Sequence, residues 1–407
     1  MNRLAVEVLF VLPASTGVAG GEGLDVLADD RPAAPRDAGG AATTLRRVPG
    51  ALPHPYATVG GVARQRAGAG RARQRHRHWP RSARLRVLGA GAGLGYDGDL
   101  LGRIHAYAQR CERLIGRTDF DVIHAHDWMT FPAAQRLAAR SGRPMIAHVH
   151  ATEFDRSGTH VNQQVYEIER AGMHAADLVI AVSHRTRQVL LESYGVMPEK
   201  VRVVHNGIEP RADASDATAQ AQPMERRMNQ GKTVLFLGRL TMQKGPGFFI
   251  RAAMRVLERV DDVKFIVAGW GDLAPRMIEE VAARGLGQKV LFTGFLRGAA
   301  VDRAFRAADV YVMPSVSEPF GLTALEAIRN GAPVVLSRSS GVAEVLDGGA
   351  LVVDCWDVQR MADQIVALLT DTGLAERVRR AGAERLRRLT WDAPAQRCVA
   401  LYEELGM

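Results

Sequence analysis

The sequence predicts an α/β protein built from two doubly wound parallel-sheet domains, and three observations predict it. From Tyr96 onward, short β-branched runs alternate with amphipathic stretches, the pattern of parallel sheets covered by helices on both faces. A segment at 211–230, rich in Ala, Gln, Asp and Ser, has neither strand nor helix period and divides that pattern in two. The chain has 407 residues, enough for two separate hydrophobic cores.

In chain order, residues 1–95 stand apart from the rest. Ala, Gly, Arg and Pro supply 54 of them, Ile is absent, and no periodicity persists after Leu12. A strand is predicted at 8–12; the apolar stretch around it, 4–12, is too short to span a bilayer and reads as strand rather than signal peptide. Two readings of the remainder stand open. Such a composition cannot bury enough apolar surface to order itself, and it is also what a GC-rich gene yields when read out of frame. Gly20-Gly21-Glu22-Gly23 follows the strand, but no helical pattern succeeds it. Asp97-Gly-Asp99 precedes a helical pattern and reads as a helix cap.

Charge follows the same division. The net charge is +9, of which residues 1–95 carry +8 and the remaining 312 carry +1. The tract Arg71-Ala-Arg-Gln-Arg75-His-Arg77-His would suit phosphate contacts. No aromatics interleave with it, and no zinc-ligand pattern or helix-turn-helix accompanies it, so nucleic acid is not expected as a partner.

Strands are predicted at 121–126, 145–150, 178–183, 201–205, 234–238, 264–268, 290–293, 310–313, 333–337 and 351–354. Helices are predicted between most of them, among them 165–176, 248–260, 274–284 and 322–329. The expected organisation is an atypical segment 1–95, a first domain 96–208, a linker 209–231, a second domain 232–388 and a terminal helix within 389–407. That last helix carries Cys398, Val399, Leu401, Tyr402 and Leu405 on one side and is expected to pack onto a domain. Three distant cysteines without metal spacing suit a reduced, cytoplasmic protein, with peripheral attachment at a membrane as the second setting.

In open parallel sheets ligands bind beyond the carboxyl ends of strands, so residues there matter most. Gly238-Arg239-Leu-Thr-Met-Gln-Lys244-Gly245 directly follows a predicted strand. Its two cations, five apart on one loop, suit a pyrophosphate: Arg binds phosphate oxygens bidentately and Lys acts as a point charge. A Walker A arrangement is absent. Ser317-Glu318-Pro-Phe320-Gly321-Leu322-Thr-Ala-Leu-Glu326 places one carboxylate in a loop and a second about one turn into a helix, whose N-terminus is an anion site. Carboxylates accept paired hydrogen bonds from vicinal hydroxyls, so the loop suits a ligand bearing sugar and phosphate. The competing reading makes the cations solvated loop charges, Glu318 a helix cap and Glu326 an exposed helix residue.

Taken together with Asp309-Val-Tyr-Val-Met-Pro-Ser315, these two segments resemble the donor-binding half of the family-4 retaining glycosyltransferases, which have the GT-B fold. Gly269-Trp-Gly271-Asp272 and Gly331-Ala-Pro333-Val are similar to further family segments, and Asp121-Val-Ile-His-Ala-His126-Asp127-Trp128 resembles the first domain of glycogen and starch synthases. The resemblance runs from about Tyr96 to the C-terminus. It implies two Rossmann-like domains facing a cleft and a nucleoside-diphosphate sugar as donor. The acceptor would be a saccharide, lipid-linked or other hydroxyl. No cofactor and no metal are expected. By the same resemblance Arg239 and Lys244 hold the diphosphate, with Gly238 and Gly269 shaping the donor pocket. Glu318 binds sugar hydroxyls, helped by the backbone of Phe320, Gly321 and Leu322. Glu326 binds the ribose, and His150 approaches the donor sugar from the other domain. The catalytic set is His150, Glu318, Arg239 and Lys244, and Asn206-Gly207 marks where the chain leaves the first domain.

Two alternatives accompany this reading. A relative that binds nucleotide without turnover would keep the same residues, since the family's Gly-rich loop has no clear counterpart near residue 20. A metal-dependent hydrolase would instead use His124, His126, Asp127, His148 and His150, clustered at two strand ends. Their spacing does not fit known metal signatures, and alternation alone does not separate His148 from His150.

Overall fold

A computed structural model describes residues 8–13, 43–48, 100–115, 119–209 and 231–406, the first two segments as backbone only. The Gly-rich stretch at 20–23, the Arg-rich tract at 71–78, Asp97, Asp99 and most of the 209–231 linker lie outside the described residues. Two compact units divide the chain, at 2–118 and 119–407. In the first, β1 (Val8–Pro13) pairs in parallel with β2 (Thr43–Val48), and α1 (Leu100–Ile115) is amphipathic. Its buried residues Ile104, Tyr107, Ala108, Cys111 and Ile115 recur at three and four positions.

Within the second unit two parallel sheets form, each from the predicted strand-helix alternation. The first holds β3 (Ile123–His126), β4 (Met145–Val149), β5 (Leu178–Ala181) and β6 (Val201–Val203), in that spatial order. Around it run α2 (Phe131–Ser141), α3 (Glu153–Ser157), α4 (Gln163–Ala175) and α5 (His184–Tyr194). β4 and β5 are buried at every position, as continuous apolar runs require in a sheet covered on both faces. β3 is two residues shorter than predicted because β4 begins at Met145, opposite Ile123, and offers Asp121 and Val122 no partner. β6 stops at Val203 for the same reason, opposite the last residue of β5.

The second sheet contains β7 (Lys232–Leu237), β8 (Val263–Ala268), β9 (Val290–Gly294), β10 (Val310–Met313), β11 (Val334–Ser337) and β12 (Leu351–Val353). All are parallel, in the order β12-β11-β10-β7-β8-β9. Its helices are α6 (Pro246–Leu257), α7 (Ala274–Ala283), α8 (Ala299–Arg306), α9 (Leu322–Arg329), α10 (Ala343–Leu346), α11 (Val358–Thr370) and α12 (Thr372–Leu386). Two apolar layers enclose the sheet, one around Phe249 and Ile365, the other around Phe305 and Leu325. The order of strands reverses between β7 and β10, and a doubly wound sheet opens its ligand crevice at the carboxyl ends of that pair.

The terminal helix α13 (Asp392–Glu404) returns to the first sheet. There Cys398, Leu401 and Tyr402 pack with Ile146, Leu178, Ile180 and Val204. Where the chain leaves the first domain, the Ile208 N–H donates to the Leu389 carbonyl of the returning chain at 2.7 Å. Gly207 lies so close to the Thr390 backbone that an added Cβ would clash with it. The two crossings therefore run side by side. No helix among the described residues is long and apolar enough to cross a membrane.

Candidate active site

The loop after β7 is built for tight passage. Gly269 adopts φ 140°, and a Cβ there would strike the Gly238 carbonyl, so only glycine lets the β7 and β8 ends approach. Arg239 follows, its Nη2 3.3 Å from Gln243 Oε1. A short 3₁₀ turn, Met242–Lys244, ends at Gly245 with φ 64°, against the Pro314 carbonyl. The Val316 N–H donates to the Gln243 carbonyl at 2.9 Å and joins this loop to the one after β10.

That junction brings together the two residues that the sequence analysis placed in separate motifs. Lys244 Nζ donates to Glu318 Oε2 at 2.6 Å, and Ser315 Oγ lies 3.2 Å from the same oxygen. Glu318 is buried at 7% exposure. It does not cap α9, which starts from Gly321 with no side-chain cap, so the helix-cap reading is corrected. The first N–H groups of α9, at Leu322 and beyond, remain without a side-chain acceptor beside the Glu318 loop. Phe320 is buried, Leu322 is exposed, and Gly321 at φ 114° makes the turn between them. Glu326 is half-buried rather than exposed. Burial raises its pKa, opposed by Arg329 and aided by Asp302.

His150 directly follows β4, which ends at Val149, one residue short of the predicted strand, and nearby residues of its loop reach the second domain. Asp127, the one non-glycine with positive φ (60°) among the described residues, accepts the His150 N–H at 2.7 Å through Oδ1. Five residues beyond His150, Asp155 Oδ1 accepts from Ser317 Oγ at 2.6 Å, across the two domains. Asp155 is held by a capping box with Thr152, and its helix rests on Arg156 paired with Glu153 and Glu169. Further along, Ser183 Oγ lies 2.6 Å from the Pro319 carbonyl, and Glu344 accepts the N–H groups of His184 and Arg185, each at 2.8 Å. Sequence reasoning missed Asp155, Ser183, Arg185 and Glu344. Thr152-x-x-Asp155 was a visible capping signal, but nothing local announced its partner in another domain.

The histidines form a block. His124, His126, His148 and His150 all project from one face of β3 and β4, with neighbouring ring centroids 4.3–5.2 Å apart. His124 Nε2 is 3.0 Å from His148 Nδ1, and His126 Nδ1 is 2.9 Å from His150 Nε2. Burial, with mutual repulsion of the rings, lowers the pKa of His124 to about 3 and takes His148 well below its ordinary value; His126, exposed as a residue but with its ring packed among the others, is lowered to about 4. These imidazoles are neutral at neutral pH. Among the described residues, two groups bring candidate metal-ligand atoms within 4.8 Å of one another: His124, His126 and His148, and His184, His205 and Glu344.

Two parallel sheets flanked by helices and joined by paired crossings, with loops of both in contact, constitute the GT-B architecture. Comparison with known proteins agrees. The profile of the family described as Glycosyl transferases group 1 matches residues 220–385, and that of Glycosyltransferase Family 4 matches residues 38–212. An uncharacterized glycosyltransferase of Methanocaldococcus jannaschii is 32% identical over 302 residues, covering 71% of this chain and 77% of its own. Glycogen synthase of Mycobacterium tuberculosis strain H37Rv is 30% identical over 289 residues, 69% of this chain and 68% of its own. Among solved structures, Anabaena HepE in complex with UDP and glucose superposes with a TM-score of 0.62 at 21% identity, covering 77% of this chain and 83% of that one. Sucrose-phosphate synthase from Thermosynechococcus elongatus gives 0.62 at 22% identity, covering 75% and 78%. The chain belongs to the group 1, family 4 glycosyltransferases. The family-4 match begins at residue 38, within the Arg-rich segment, and residues 1–37 lie outside both matches.

Proposed function

We propose that this chain transfers a sugar from a nucleoside-diphosphate sugar to an acceptor hydroxyl with retention of anomeric configuration, and without a divalent metal. The observation that carries the reading is the Lys244–Glu318 pair, 2.6 Å apart where the strand order reverses. An ammonium has three N–H donors, so Lys244 can hold Glu318 and still present protons to a diphosphate. Arg239, on the same loop, supplies the second cation, and the α9 N-terminus supplies backbone dipoles. Glu318 orients Lys244 and receives sugar hydroxyls, while Glu326 takes the ribose and His150 meets the sugar from the first domain. HepE was solved with UDP and glucose, which supports a donor of this class.

In the reaction the bond from the anomeric carbon to the diphosphate oxygen breaks, and the acceptor oxygen bonds to that carbon on the same face. The acceptor proton passes to the departing diphosphate. Fixed cations and dipoles stabilise the leaving charge, and no protein nucleophile takes part. The acceptor is a hydroxyl of a saccharide, a lipid-linked group or another alcohol.

Turnover decides the matter. The full chain is incubated with UDP-, GDP- and ADP-sugars in excess chelator, with nucleotide release measured and product configuration read by NMR. We expect transfer with retention to persist in the chelator. Nucleotide binding without turnover would identify an inactive relative, and zinc-dependent release of free sugar in place of a transfer product would identify a hydrolase.

A further inference from the structure

We propose that the histidine block at the ends of β3 and β4 binds one divalent ion of the zinc class through His124, His126 and His148, with water completing the tetrahedron, and that this ion fastens the domain rather than taking part in sugar transfer. A tetrahedral ion about 2.0–2.1 Å from imidazole nitrogens sets those nitrogens roughly 3.3–3.4 Å apart. His124 Nε2 and His148 Nδ1 already stand 3.0 Å apart, and the three rings offer ligand atoms all within 4.8 Å. His126, the exposed member, closes the remaining distance. Its Nδ1 is engaged by His150, which leaves Nε2 for the ion.

Two of the three rings are held as proteins hold metal-ligating histidines, whose second nitrogen is fixed by an outer partner. His124 Nδ1 is 2.6 Å from the Tyr402 hydroxyl, and His126 Nδ1 is 2.9 Å from His150. His148 is 7% exposed, and its Nε2 has no hydrogen-bond partner among the described residues. A set of three neutral imidazoles selects zinc-like ions over magnesium or calcium, which prefer oxygen. Because Tyr402 belongs to α13, the ion would tie β3, β4 and the terminal helix together. The second group, His184–His205–Glu344, is different: its carboxylate is already filled by two backbone N–H groups and His205.

The test uses the untagged full chain, stripped with chelator and titrated with Zn²⁺ by calorimetry and with Co²⁺ by visible absorption. One equivalent is expected, with an intense tetrahedral cobalt spectrum and a melting temperature that rises with zinc. Replacing an exposed ligand, His126→Asn, should weaken binding by about 10-fold or more, since even outer partners count for 10–100-fold. His148→Asn should do the same, and if it fails to fold, His126→Asn decides alone. His205→Asn should leave that equivalent in place. Absence of uptake by the wild-type chain, or undiminished uptake by His126→Asn, overturns the proposal. Neither readout depends on sugar transfer, so this site and the proposed activity stand or fall separately.

Discussion

Lys244 and Glu318 neutralise each other where neither is well hydrated, and this governs how each fails. Removing one partner of a fully buried pair costs about 3–5 kcal/mol. Lys244 keeps 22% of its side chain exposed, so Lys244→Ala should cost less than that. The double variant Lys244→Met with Glu318→Leu should lose less stability than the sum of the two single changes, as urea unfolding would show. Catalysis separates differently. Lys244→Ala removes charge at the leaving group, and one such contact is worth about 10²–10³ in kcat. Glu318→Ala should weaken the sugar nucleotide far more than the bare nucleoside diphosphate in calorimetry; equal loss of both would make it a positioning residue for Lys244 only. Each residue was legible from its motif and from the strand end it follows. Their pairing was not, because 74 positions separate them and no local pattern encodes which loops touch.

At the scale of elements, those specified by their own side chains were the easiest to read: the apolar run of β10 and the amphipathic α9 both occur over the predicted residues. Edge strands were harder, because β3 begins where β4 begins and β6 ends where β5 ends. The N-terminus of α5 shows what sequence hides. Its Ser183 cap is local, whereas its first N–H groups are satisfied by Glu344, 160 and 159 positions away. Burial alone would raise the Glu344 pKa, but bonds from His205 and the two N–H groups outweigh it and lower the value below 4.5. A carboxylate whose folded pKa is depressed adds stability above its unfolded pKa and loses it as pH falls through the folded one. The stability gap between the wild-type chain and Glu344→Gln should therefore be full at pH 7 and shrink progressively below about pH 4.5. Urea midpoints at each pH measure this. A gap independent of pH would show that the carboxylate charge does not fasten α5.

Across the whole molecule, two domains could be read from strand-helix alternation, and the Asn206-Gly207 exit from the family resemblance. The return of α13 to the first sheet could be read only in part, since an apolar stripe shows that a helix packs but not on which domain. The paired crossings at Ile208–Leu389 are the feature with the widest reach. They are expected to act as a pivot for rotation of the domains, with translation resisted by Gly207 pressed on Thr390. Probes placed at the pivot should keep their separation when a sugar nucleotide binds, and probes near Asp155 and Ser317 should not. Equal changes at both places, measured by double electron resonance, would remove the pivot. Such a joint works by leverage. A small angle at such a crossing would grow along each domain into a wide displacement at the rim, with the length of the arms setting how far the rims travel.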